Sequence, residues 1–121
     1  MTLTIPELMH ANLFDVFNQR DHALRRAAIG RIYTEDVRWT EDDSVFVGHD
    51  ELDARAVDLQ AMLGDLQFVA AGPAHQARGL GYLPFHLVKP GENTPQVSGF
   101  DVAIVRDGLT AELYTVLTDQ A

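Results

Sequence analysis

Gly99-Phe100-Asp101-Val102-Ala103-Ile104-Val105-Arg106-Asp107-Gly108-Leu109 is the stretch that decides the fold. Asp107-Gly108 is a strong two-residue hairpin signal, because a type I′ turn needs positive φ at both central positions. It joins a strand predicted over 96–106 to one predicted over 109–118. The first of these strands is apolar on both faces, with Val97, Ala103 and Val105 on one and Phe100, Val102 and Ile104 on the other. Neither face should be wet. One is expected to lie under helices and the other under a second copy of the chain, which predicts a homodimer through the sheet.

The same period of two extends upstream, where residues 66–77 and 80–88 read as two more long strands. Lys89-Pro90-Gly91-Glu92-Asn93 supplies the turn that follows, and Pro84 suggests an edge or a bulge in its strand. Before Leu66 the period is helical. Thr4 is placed to cap a first helix running to about Gln19, with Pro6 in its first turn and an apolar stripe of Ile5, Leu8, Met9, Leu13, Val16 and Phe17. Asp21 opens a second helix through Tyr33, with Leu24, Ala28 and Ile32 facing inward. Short β runs at 37–40 and 45–47 follow, Gly48 ends the second, and Asp50 caps a third helix carrying Leu52, Ala56, Leu59 and Leu63. Three helices followed by a long antiparallel meander predict an α+β fold, here as a single domain over residues 1–121.

Bulk composition excludes several classes. The net charge of −9 leaves no basic stripe for phosphates and disfavours anionic membrane surfaces, so neither nucleic acid nor membrane is an expected partner. With 46% hydrophobic residues the chain can bury a core and is not disordered. The absence of cysteine removes disulfides, thiol catalysis and Cys-ligated zinc. The N-terminus shows no signal-peptide pattern, and a cytoplasmic protein is expected. No two histidines stand at metal-ligand spacing, so neither a metal nor another cofactor is expected.

Local motifs carry a resemblance over nearly the whole chain. Phe17-Asn18-Gln19-Arg20-Asp21 closes the first helix, Tyr33-Thr34-Glu35-Asp36-Val37-Arg38-Trp39 leads into the first strand, and Val47-Gly48-His49-Asp50-Glu51-Leu52 opens the third helix. With Gly99-Phe100-Asp101-Val102-Ala103 and Asp107-Gly108-Leu109, their order resembles the SnoaL-like branch of the NTF2-like (nuclear transport factor 2-like) superfamily. The resemblance implies a cone in which three N-terminal helices pack on a curved antiparallel sheet and enclose a pocket. That superfamily includes ketosteroid isomerases, polyketide cyclases, epoxide hydrolases, dehydratases and proteins that only bind, so fold alone assigns no activity.

Asp101 is the first candidate for chemistry. It sits mid-strand between the small residues Gly99 and Ala103, and a carboxylate in such an apolar wall is costly to desolvate, which raises its pKa unless it is paired. By the resemblance it falls where ketosteroid isomerases keep a protonated aspartate; a structural aspartate bonded to a neighbouring strand is the alternative. Counting back from an Asp107-Gly108 turn places Tyr114 opposite Asp101, and a one-residue slip substitutes Leu113. Glu41 falls where isomerases of the superfamily hold their aspartate base, although Glu41, Asp42 and Asp43 read better as a solvated acidic loop. His86 shares strand parity with Tyr82, and both are candidates to face the pocket. Trp39, Tyr33, Phe17, Phe68 and Phe85 are candidate wall residues, with core packing an equal explanation for each. Arg78 with Asp101 would mimic part of the epoxide hydrolases' Asp-Arg-Asp set. The first helix offers Leu13, Phe14 and Phe17 where ketosteroid isomerases carry a tyrosine, which argues against steroid isomerisation by that route. The expectation is a pocket for a small hydrophobic molecule with cofactor-free isomerase, cyclase or dehydratase chemistry at Asp101, or else a non-catalytic binding or dimerisation module.

Overall fold

The computed structural model describes residues 2–120, with side chains through Thr118. Thr4 and Glu7 form a reciprocal capping box at the start of helix α1 (Ile5–Ala11), the Thr4 hydroxyl accepting from the Glu7 N–H and the Glu7 carboxylate from the Thr4 N–H. The chain continues into a π-helical segment (Asn12–Phe17), marked by the Asn18 N–H bonding back five residues to the Leu13 carbonyl. Asp21 caps α2 (His22–Ile32) by accepting from the Leu24 N–H.

The inward face of α2 differs from the expected one. Leu24 is 59% exposed, and Arg25 is buried in its place beside Ala28, Ile29 and Ile32. A buried guanidinium needs a partner, and Asp53 of α3 (Gly48–Leu63) supplies it at 2.6 Å from Nε. Gln60 of α3 donates to the carbonyls of Phe17 and Gln19, tying α3 to the end of the first helical stretch. Helix α3 begins at Gly48 with Val47 at the cap position, so Asp50 lies in the first turn and pairs with Arg26.

Among the described residues, seven strands form one curved, open sheet in the order β2-β1-β7-β6-β5-β3, with β4 also on β5. They are β1 (Tyr33–Glu41), β2 (Ser44–Val47), β3 (Gln67–Ala70), β4 (His75–Ala77), β5 (Leu80–Val88), β6 (Val97–Arg106) and β7 (Leu109–Gln120). The long run expected over 66–77 is two strands, β3 and β4. Pro84 lies where they part: its carbonyl accepts from Ala71, on the β3–β4 side, so its missing N–H falls where the partner strand is interrupted. All pairings are antiparallel except β1 with β7, which makes the sheet mixed.

At the β6–β7 turn Asp107 and Gly108 have φ of 54° and 80°, and Arg106 faces Leu109. Two residues later the register slips. Val105 faces Thr110 but Ile104 faces Glu112, so Ala111 is the extra residue of a β-bulge. The concave face of the sheet and the helices share one core, in which Leu8, Leu13, Ile32, Leu52, Trp39 and Phe85 are fully or almost fully buried.

Candidate active site

The bulge at Ala111 determines what meets Asp101. Counting regularly from the turn places Tyr114 opposite it; the extra residue brings Thr115 instead, so neither Tyr114 nor Leu113 takes that position. Tyr114 is 39% exposed, and its hydroxyl donates to Glu112 on its own strand. Thr115 donates to Asp101 Oδ1 at 2.7 Å and accepts from Trp39 Nε1 at 3.0 Å.

On its other oxygen Asp101 accepts from the side-chain amide of Asn12, Nδ2 to Oδ2 at 3.1 Å. Asn12 occupies the one gap in the apolar stripe of the first helical stretch, between Met9 and Leu13, and is buried. Its carbonyl oxygen accepts a hydrogen bond from the Tyr33 hydroxyl. Burial first, and the Asp101 carboxylate second, push the Tyr33 phenol well above its usual range, so Tyr33 keeps its proton and donates. A continuous chain, Tyr33–Asn12–Asp101–Thr115–Trp39, thus links β1, the π-helical segment, β6 and β7.

Asp101 is 2% exposed. Burial raises its carboxyl from the usual value near 3.8 to about 7, against the lowering effect of the Thr115 and Asn12 hydrogen bonds. It touches an open cavity of about 760 Å³, within the range of small-molecule sites. Leu13, Phe17, Trp39, Phe68, Phe85 and Leu87 supply much of its apolar wall. A polar group stands elsewhere on the same wall, where Arg55 of α3 holds Glu41 at 2.5 Å from Nε to Oε1. The acidic residue is therefore half-buried and ion-paired rather than part of a solvated loop, with Asp42 and Ser44 also on the cavity wall.

Several expected residues lie elsewhere. His86 and Tyr82 share parity, as read, but theirs is the outer face of the sheet, because Leu83, Phe85 and Leu87 take the inner one. His86 bonds to Ser98 Oγ, and Tyr82 packs on Phe100 with ring centroids 5.4 Å apart. Tyr33 lies behind the cavity wall rather than in it. Arg78 is exposed in the β4–β5 turn with φ of 52° and does not reach Asp101. Asn12, Thr115 and Arg55 are the residues not anticipated. For Asn12 the gap in the apolar stripe was a readable signal; Arg55 lies at helical spacing beside Leu52 and Leu59, a weaker one.

Helices packed on one face of a curved, open mixed sheet define an α+β fold. Solved structures bear this out for the fold. One, from Agrobacterium tumefaciens, is described as a member of the SnoaL-like family, with a TM-score of 0.86 at 18% identity, covering 97% of this chain and all of that one. A second, described as a hypothetical protein with a ketosteroid isomerase-like fold from Catenulispora acidiphila, gives 0.71 at 13% identity and covers 93% of this chain and 85% of that one. TerC, crystallised with polyporic acid, gives 0.71 at 13% identity over 94% and 91% of the two chains. The chain has the NTF2-like, SnoaL-like fold that the sequence motifs resemble. No protein-family model and no curated protein sequence matches the chain. Among the described residues no helix is long and apolar enough to cross a membrane.

Proposed function

We propose that the chain binds a small hydrophobic molecule in this cavity and uses Asp101 as its acid–base group, directly or through a hydrogen-bonded neighbour, without a cofactor. The observation that carries this reading is the carboxyl itself, buried in the wall of an open, mostly apolar cavity, where burial pushes it up to about 7. Near neutral pH such a group is present both with and without its proton, the condition under which general acid–base catalysis is most effective. Isomerisation, cyclisation and dehydration all fit one such group in an otherwise apolar site. A module with a vestigial, filled pocket is less well supported, because the cavity is open. Binding without turnover is the second reading, and Glu41 favours it: engaged by Arg55, it is not free to serve as a second base.

The test is to incubate the protein and its Asp101→Asn variant with a set of apolar enones and epoxides, following products by NMR. Turnover that falls by about a hundredfold or more in the variant supports the catalytic reading. Binding without turnover selects the second reading, and no binding at all overturns both. We further propose that a second copy covers the outer face of the sheet, where Tyr82, Phe100, Val102, Ile104 and Val116 present apolar surface. Equilibrium sedimentation of the protein and of Val102→Glu tests this, a monomer in both cases overturning it.

A further inference from the structure

The hydrogen bonds around Asp101 restrict where its proton can sit and what then happens next to it. Tyr33 donates to Asn12 Oδ1, which holds the Asn12 amide with its N–H toward Asp101 Oδ2. A flipped amide would set a carbonyl against the carboxyl and an N–H against the phenol proton. Oδ2 therefore has a fixed donor in both states, and a carboxyl proton is best placed on Oδ1, where the Thr115 hydroxyl can accept it. The indole N–H of Trp39 is a donor only and occupies one lone pair of Thr115 Oγ1 throughout. A hydroxyl has one donor and two acceptor positions, so one position of Thr115 is left over, and its character depends on Asp101. Thr115 is half-buried and lines the cavity.

We propose that Thr115 is the group that meets the polar atom of a ligand, and that Asp101 sets whether it does so as acceptor or as donor. With Asp101 ionised, Thr115 donates to Oδ1 and leaves a lone pair for the cavity, suited to a ligand hydroxyl. When Asp101 takes up one proton from solvent on Oδ1, that proton is donated to Thr115. The threonine keeps its own hydrogen and turns it toward the cavity, suited to a ketone or enone oxygen. The ligand is otherwise apolar, as Phe17, Phe68 and Phe85 require. Of the groups facing Asp101, the first helical stretch gives Asn12, β7 gives Thr115, and β5 gives Leu83, none of them ionisable. Tyr33 of β1 stands behind Asn12, the Glu41–Arg55 pair is internally neutralised on the cavity wall, and Asp42 and Tyr114 also lie along the cavity.

The inference rests on the cavity being a small-molecule site, and two probes separate the two ideas. 2-Acetylnaphthalene accepts hydrogen bonds only, whereas 2-naphthol donates. Their affinities are measured by fluorescence from about pH 5.5 to about pH 8.5, spanning the titration of Asp101. Ketone binding is expected to weaken about 3- to 10-fold as the pH rises, and naphthol binding to strengthen by a similar factor. In Asp101→Asn the amide N–H replaces the carboxyl proton, so ketone affinity stays at the wild-type acid value at every pH. Thr115→Val loses the pH dependence for both probes, and Thr115→Ser regains it, which a merely structural role would not produce. PH dependence that persists in Thr115→Val, with the variant folded by circular dichroism, means that Asp101 meets the ligand directly and overturns the relay. Binding with a flat wild-type profile also overturns it while sparing the cavity reading; failure of both probes to bind removes both.

Discussion

Replacing Asp101 with asparagine should change the pH dependence of stability by an amount that follows from the site. The native carboxyl titrates at about 7 because burial penalises its charge, against an ordinary value of 3.8. The folded protein therefore holds a proton that the unfolded chain releases. For a raised native pKa the stabilisation is complete below the unfolded value and is lost as the pH climbs through the native one. At about 1.36 kcal/mol per pKa unit, a shift of about three units makes the wild type about 4 kcal/mol less stable above pH 7 than below pH 4, from this group alone. Asparagine has the same shape and no titration, so the difference in stability between the two proteins isolates the effect. Urea unfolding of both at about pH 5 and about pH 8 should show the variant gaining about 2–3 kcal/mol on the wild type across that interval, the part of the linkage that falls in the window. A difference that stays flat, or runs the other way, would mean that Asp101 is solvated or held charged in the native state. The proton-exchange function would then lose its physical basis.

Three further outcomes follow from the packing. Asp53→Ala leaves the Arg25 guanidinium, 3% exposed, without its counterion, and should cost about 3–5 kcal/mol in urea unfolding, whereas exposed Asp50→Ala should cost little. A methyl at Gly99 would lie 2.4 Å from the Val116 carbonyl oxygen and 2.9 Å from Phe85 Cζ; Gly99→Ala should destabilise by about 1–3 kcal/mol and shift the Asp101 titration, read by carbon-detected NMR. Thr4→Ala removes one half of the capping box and should lower stability by about 1 kcal/mol, with faster amide exchange confined to α1.

The sequence by itself determined the order of helices and strands apart from the break between β3 and β4, the three caps or turns that work through local chemistry, and the carboxyl in an apolar strand. Thr4, Asp21 and Asp107-Gly108 act through neighbours within a few residues, so their roles are written in the chain where they stand. Asp101 was legible for a related reason: small and apolar flanks on a strand predict burial whatever covers it. Tertiary structure alone decided the rest of the site. The bulge at Ala111 exchanged Tyr114 for Thr115, because one extra residue in a period-two strand turns every later side chain over. Parity grouped His86 with Tyr82 correctly but does not say which face a helix will cover, and the helices cover the face of Phe85. Leu24 and Arg25 changed places because a counterion waits on α3, 28 residues away, where no local pattern announces it. Glu41 likewise left the class of solvated loop residues when Arg55 reached it across the fold. Residues that act on their own neighbourhood can be read from sequence; those that act through a partner brought in by register, face or charge cannot, because the partner is chosen by packing.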